Sequence, residues 1–207
     1  MAEKDNSLKI LLTGFKGKNN SSSILVQSIS ENYRLLTNSF EGLKKDIEEI
    51  DEGFDFLIMF GCDKNLKDSV RIERFAEKNG EKIASALDLE NISKNLAAAE
   101  INNFISDSPG HYFCNDAYWY ALQKFNSRAV FIHIPTIKNI DDSFIDKMKK
   151  FMGQEKQYMI NKEKPLNLSE MAEDQFDLEM EKAYQSIQRG EGIPIKEAFE
   201  KIKNQNN

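Results

Sequence analysis

Three apolar runs constrain this chain more than any other feature of its sequence. "LKILLTGF" (Leu8 to Phe15), "FDFLIMFG" (Phe54 to Gly61) and "RAVFIHIP" (Arg128 to Pro135) are short, nearly unbroken, and closed by or just after Gly or Pro. A strand apolar along its whole length is buried on both faces, and such strands belong to parallel sheets covered by helices. The first two runs frame helix-forming segments. "NNSSSILVQSISEN" offers Asn and Ser caps ahead of Ile24, Leu25 and Ile29. "YRLLTNSF" reads as a second strand and "EGLKKDIEEID" as a second helix. Up to Gly61 the order is therefore β-α-β-α-β, which predicts the α/β class: an open, mostly parallel twisted sheet flanked by helices. Ligands in such folds gather beyond the carboxyl ends of the strands. That makes Gly14, Phe15, Gly61 and Cys62 candidates to line a site.

From Cys62 to Glu100 the pattern weakens. "SVRIERFAEK" alternates in part and reads as a strand or hairpin arm, and "EINNFIS" as a strand leading to a Pro-Gly turn. "FCNDAYWYALQKF" predicts a helix with Phe113, Ala117, Tyr120, Ala121 and Phe125 near one face. Beyond Ile140 the chain turns helical and charged. "DDSFIDKMKKFMGQEKQYMI" suits an amphipathic helix packed on the sheet or on a partner, "LSEMAEDQFDLEMEKAYQSIQ" another, and "PIKEAFEKIK" a short one opened by Pro194. The expected organisation is one α/β domain over residues 1–207, with its core at about 7–137 and a helical C-terminal extension at about 141–207.

Composition excludes several classes. The formal net charge is −6, which argues against a nucleic-acid surface. No apolar run is long enough to span a bilayer, so no membrane association is expected. "MAEKDNSLK" lacks the apolar segment of a secretory signal, so a cytoplasmic location is expected. Two cysteines make no disulfide framework, and with two histidines at these spacings they make no structural zinc site. Neither metal nor cofactor is expected.

The chemistry centres on "SDSPGHYFCNDAYWYALQKF", where Cys114 opens a helix after a Pro-Gly turn. A Cys in the first helical turn meets unpaired N–H groups and the positive end of the dipole, both of which favour the thiolate nucleophile. The same N–H groups suit the oxyanion of a tetrahedral intermediate, and Asn115 stands beside them to orient it. Cysteine is also a frequent apolar filler of cores. A redox pairing of Cys62 with Cys114 lacks a CxxC motif. The base is His111, in the turn, or His133, near the exit of a buried strand. His111 reads better as a surface turn residue, whereas His133 is either a base beside the site or a satisfied core histidine. A carboxylate that fixes the tautomer would complete the set. Glu73, in "RIERFA", is a candidate, the alternative being a solvated partner of Arg71 or Arg74.

These residues resemble the type I pyroglutamyl (pyrrolidone-carboxylate) peptidases. "SDSPGHYFCNDAYWY" is similar to their cysteine signature, "VFIHIP" to their histidine strand, "IERFA" to their glutamate segment and "ILLTGF" to their opening strand, in family order. The resemblance implies a three-layer α/β/α sandwich of the phosphorylase/hydrolase-like type, often assembled as a homo-oligomer. It implies Cys114 as nucleophile, His133 as general base and acid, and Glu73 as the group that orients His133. The reaction implied is hydrolysis of the amide after an N-terminal pyroglutamyl residue in a blocked peptide, through a thioester and without cofactor.

The pocket departs from the family more than the triad does. The family's Pro-Phe-Gly-Gly run after the first strand is replaced by "GFKGKNNSSS", which keeps Phe15 alone of the aromatics. Its Gly-Gln-Ala-Gly-Gly-Arg run is replaced by "GCDKNLKDS", with Gly61 kept and Cys62 where Gln is expected. No Arg follows Arg74 before Cys114, and Lys82 is the nearest basic candidate for the oxyanion region. These changes leave a second expectation standing: an inactive or altered relative that works as a binding or interaction protein.

Overall fold

Each apolar run becomes a buried strand because its residues have no polar face to give to water. The computed structural model describes residues 8–110 and 112–163, with scattered positions between Glu181 and Arg189. Six strands form one sheet: β1 (Ile10–Phe15), β2 (Tyr33–Leu36), β3 (Phe56–Cys62), β4 (Ser69–Glu73), β7 (Asn102–Ser106) and β8 (Ala129–Ile134), in the order β2-β1-β3-β8-β4-β7. Every pairing is parallel except that of β4 with β8. The first two-thirds of the predicted pattern is thus borne out: an α/β fold with a mostly parallel sheet.

Helices cover both faces. On one lie α1 (Ser21–Ile29), α3 (Leu89–Ala98) and α5 (Asp142–Glu163), whose Leu25, Val26, Ile92, Leu96, Met148 and Phe151 meet Ile58, Phe60, Ile72, Ile132 and Ile134 of the sheet. On the other lie α2 (Phe40–Glu48) and α4 (Phe113–Lys124), whose Leu43, Ile47, Ala117, Tyr118 and Leu122 meet Leu11, Leu57, Met59 and Phe131. The amphipathic segment expected after Ile140 is α5, and it packs on the sheet. It lies in the first of two compact units, Met1–Glu163, the second being Lys164–Asn207. The segments "LSEMAEDQFDLEMEKAYQSIQ" and "PIKEAFEKIK" lie almost wholly outside the described residues, apart from helical positions such as Glu181 and Tyr184.

Local chemistry explains the junctions that shape the site. α1 starts where Asn20 Oδ1 accepts the Ser22 N–H at 3.0 Å, and Ser22 Oγ in turn accepts the Phe15 N–H at 3.0 Å. A Cβ on Gly14 would meet the Ser22 carbonyl oxygen at 2.5 Å, so only glycine lets α1 lie this close to β1. "SVRIERFAEK" divides at Arg74 into β4 and β5 (Phe75–Lys78). β5 pairs antiparallel with β6 (Glu81–Ala84) through Asn79-Gly80, both at positive φ, 55° and 81°. Two such residues make the type I′ turn whose twist suits a hairpin. Among the described residues no helix is long and apolar enough to cross a membrane.

Candidate active site

The site forms where β3, β4 and β8 end beneath the start of α4. Side chains alternate along a strand, so Phe131 and His133 face α4 while Ile132 and Ile134 face α5. Gly61 is the register partner of His133 and shares its face. A Cβ there would come within 2.7 Å of the Phe131 ring and 3.0 Å of Cys114 Sγ. The absent methyl is the seat of the sulfur.

β4 supplies the acid. Running against β8, it sets Arg71 opposite His133 and Glu73 opposite Phe131. Glu73 reaches diagonally, and its Oε1 lies 2.7 Å from His133 Nδ1, with both side chains under a tenth exposed. A carboxylate only accepts, so Nδ1 carries the proton of this bond. His133 is therefore a buried histidine with a hydrogen-bonded carboxylate partner. Among the described residues its hydrogen bond runs through Nδ1 to Glu73, Arg71 Nη2 lies 3.3 Å from the same atom as a second donor, and no bond runs to Cys114. The Phe131 ring lies 4.8 Å from the imidazole and walls it from below.

Glu73 pairs with Arg71, but as a buried carboxylate and not the solvated one of the alternative reading. Arg71 Nε donates to the same Oε1 at 2.8 Å, and Arg71 Nη1 donates to Asp63 Oδ2 at 2.6 Å. Arg74 turns away to Asp107, at 2.5 Å. Burial lowers the basicity of Arg71, but its bonds to Glu73 and Asp63 outweigh it and raise the pKa above the ordinary value. Burial alone would raise Asp63, yet the Asn65 N–H and Arg71 hold it below the usual carboxylate range. Sequence reasoning missed Arg71 and Asp63 as members of the site. The signal was present, since Arg-Ile-Glu places Arg71 and Glu73 on one face of a strand.

Cys114 is the second residue of α4, as the sequence predicts, and no side chain caps that helix at Tyr112. The expectation that the helix end favours thiolate is not met in this state. Burial pushes the thiol up to about 12, Glu73 adds to the rise, and Arg71 opposes it. The dipole of one helix end is worth at most about 2 kcal/mol, whereas desolvation of a buried ionised group costs several. A cavity of about 10 Å³ adjoins the sulfur, between Glu73, Phe75, Pro109, Asn115 and Phe131. That is room for about one water.

The remaining predicted residues divide. Phe15 is buried, its ring centroid 6.4 Å from that of Phe131, in the cluster that includes Cys114. Cys62 ends β3 half-buried, and both cysteines are free thiols. Asn115 turns to the hairpin: its Oδ1 accepts the Glu77 N–H at 2.9 Å and its Nδ2 donates to the Glu77 carbonyl at 2.7 Å. Lys82 lies 4.3 Å over the Phe75 ring and pairs with Glu77 at 3.6 Å, its side chain half exposed, so it is a hairpin surface residue. His111 lies outside the described residues. Among the described residues no cluster of three or more His, Cys, Asp or Glu side chains is placed to hold a metal.

The fold is that of the pyrrolidone carboxyl peptidases, also called pyroglutamyl peptidase I: an open α/β sandwich, here with a buried imidazole–carboxylate pair on the face that bears the α4 thiol. The pyrrolidone carboxyl peptidase from Thermococcus litoralis aligns at a TM-score of 0.59 and 20% identity, over 78% of this chain and 99% of that one. Bacillus amyloliquefaciens pyroglutamyl peptidase I aligns at 0.62 and 16%, over 73% and 98%. The Pyrococcus furiosus pyrrolidone carboxyl peptidase aligns at 0.58 and 21%, over 75% and 99%. No protein-family model matches the sequence, and no curated protein does. At these identities the likeness establishes the fold.

Proposed function

We propose that the chain is a cysteine peptidase of the pyroglutamyl type, releasing an N-terminal 5-oxoproline from a blocked peptide. The observation that carries this reading is the 2.7 Å bond between Glu73 and His133, on the face where Cys114 Sγ sits over Gly61. Cys114 is the nucleophile, His133 the general base and acid, and Glu73 the carboxylate that holds the ring's tautomer. Rotation of the Cys114 side chain toward Nε2 brings sulfur and base together when substrate arrives. The thiol proton passes to His133 as Sγ attacks the scissile carbonyl. Main-chain N–H groups at the start of α4, which no side chain caps, receive the oxyanion. His133 returns the proton to the leaving amine, a thioester remains, and water hydrolyses it with His133 again as base. Phe15, Gly61 and Cys62 line the substrate side. The reading needs no metal or cofactor, and takes the protein as cytoplasmic, where two free thiols persist, and as a homo-oligomer.

A second reading has its own support. The space beside the sulfur holds about one water, the thiol is raised to about 12, and the family's second Phe and Gly pair are absent. These favour a relative that has kept the scaffold and lost turnover, acting as a binding protein. A fluorogenic panel of N-terminally blocked amides, pyroglutamyl included, separates the two. The peptidase reading expects hydrolysis that disappears in Cys114→Ser. It also expects iodoacetamide to alkylate Cys114 faster than Cys62 near neutral pH, and to lose that preference in His133→Ala. No turnover, with slow and equal alkylation, leaves the binding reading.

A further inference from the structure

Arg71 has no role in a Cys–His–Glu scheme, yet it touches that scheme at two points and a further carboxylate at a third. Its Nε bonds Glu73 Oε1 at 2.8 Å, its Nη1 bonds Asp63 Oδ2 at 2.6 Å, and its Nη2 lies 3.3 Å from His133 Nδ1. The Arg71 side chain is 22% exposed and that of Asp63 12%, so both are largely removed from bulk water. Ion pairs at that depth are not screened away as surface pairs are.

The charges around the site suggest why this arginine is there. Among the described residues the titratable and charged groups near the ring and the sulfur are Arg71 and Glu73 on β4, Cys62 and Asp63 at the end of β3, and Cys114 and Tyr118 on α4. Without Arg71, two carboxylates would face the imidazole and the sulfur unopposed. They would repel a thiolate at Cys114. Geometry adds a second effect. Among the described residues Glu73 Oε2 has no hydrogen-bond partner, so there the carboxylate is fixed through Oε1, shared by the ring N–H and the guanidinium.

We propose that Arg71, braced by Asp63, is a positioning residue that fixes Glu73 on His133 and supplies the positive charge that offsets the two carboxylates beside the sulfur. This rests on the peptidase reading of Cys114 and His133. Arg71 touches no substrate; it acts through Glu73 and through its field. Its planar fork matters, because a lysine ammonium carries the charge but does not bridge two carboxylates in fixed geometry.

The test is the pH profile of Cys114 alkylation by iodoacetamide, read at the peptide level so that Cys62 is counted separately. Arg71→Met is expected to move the rise in rate upward by about one pH unit, and Asp63→Asn to move it downward by a smaller step. Arg71→Lys is expected to restore most of the position of the rise. It should still leave hydrolysis of a pyroglutamyl amide about tenfold slower in kcat with KM little changed, since positioning is not restored. Loss of packing alone would change the rates of both variants in the same direction without displacing their profiles oppositely. Displacements that agree in sign, or that stay below about 0.3 unit in both variants, overturn the proposal. If Arg71→Met does not fold, Asp63→Asn and Arg71→Lys still decide it. Failure of the peptidase reading is distinct: no turnover in the wild type, with the opposed displacements intact.

Discussion

The two faces of this sheet are built from the same strands and differ at one end. Toward α5, β8 presents Val130, Ile132 and Ile134 and β4 presents Val70 and Ile72, all buried and apolar. Toward α4 the same strands present Ala129 and Phe131, then His133, Arg71 and Glu73. One face is a closed core to its rim, while the other gives up apolar packing for an ion-paired cluster in its last turn. Buried charges do not stabilise a fold unless each is paired and hydrogen-bonded. Here nearly every one is, with Glu73 Oε2 the exception. Rigidity comes from the apolar face and polarity from the other, so a precise site stands on strands.

That contrast can be broken from either side. The largest stability effect is expected on the apolar face: Phe151→Ala should cost about 4 kcal/mol in chemical denaturation and leave the alkylation preference for Cys114 unchanged. On the polar face Glu73→Ala should cost about 3 kcal/mol, because Arg71 loses a buried partner, and should reduce any amidase activity at least ~100-fold. Gly61→Ala forces a methyl against Phe131 and the sulfur, so ~2 kcal/mol and slower alkylation are expected. Asn115→Ala removes both bonds to Glu77. It should cost about 1–2 kcal/mol and raise hydrogen exchange first in the hairpin. The smallest effect is in acid. Asp63 has a lowered pKa in the fold, so its contribution is full above the ordinary carboxylate value of 3.8 and is lost as pH falls through the lowered one. Asp63→Asn should flatten the acid limb of stability by less than about 1 kcal/mol and leave the curve above pH 5 parallel to wild type.

Apolar strands were the most legible part of the chain, because β1, β3 and β8 are buried on both faces and carry no competing pattern. β4 was less so. Its alternation of Val70 and Ile72 with Arg71 and Glu73 reads as a half-solvated strand, although the polar side is buried too. α3 was missed. Leu89, Ile92 and Leu96 lie on one face behind an Asp88 cap, but Ser, Lys and Asn between them weaken the contrast. The Asn79-Gly80 turn carried a strong hairpin signal that the flanking charges obscured. Within the site, the pairing of His133 with Glu73 was implied by the family resemblance, while the residues alone left a solvated Glu73 open. The raised thiol was not implied, since local sequence shows a helix start and says nothing of the burial and the nearby Glu73 that raise it.

The Asn115 side chain behaves as a surrogate peptide unit, offering Glu77 the donor and acceptor that a neighbouring strand would offer. The ribbon of β5 and β6 is thereby hinged to the residue that follows the sulfur. Any ligand that grips the outside of that ribbon has a lever on the first turn of α4.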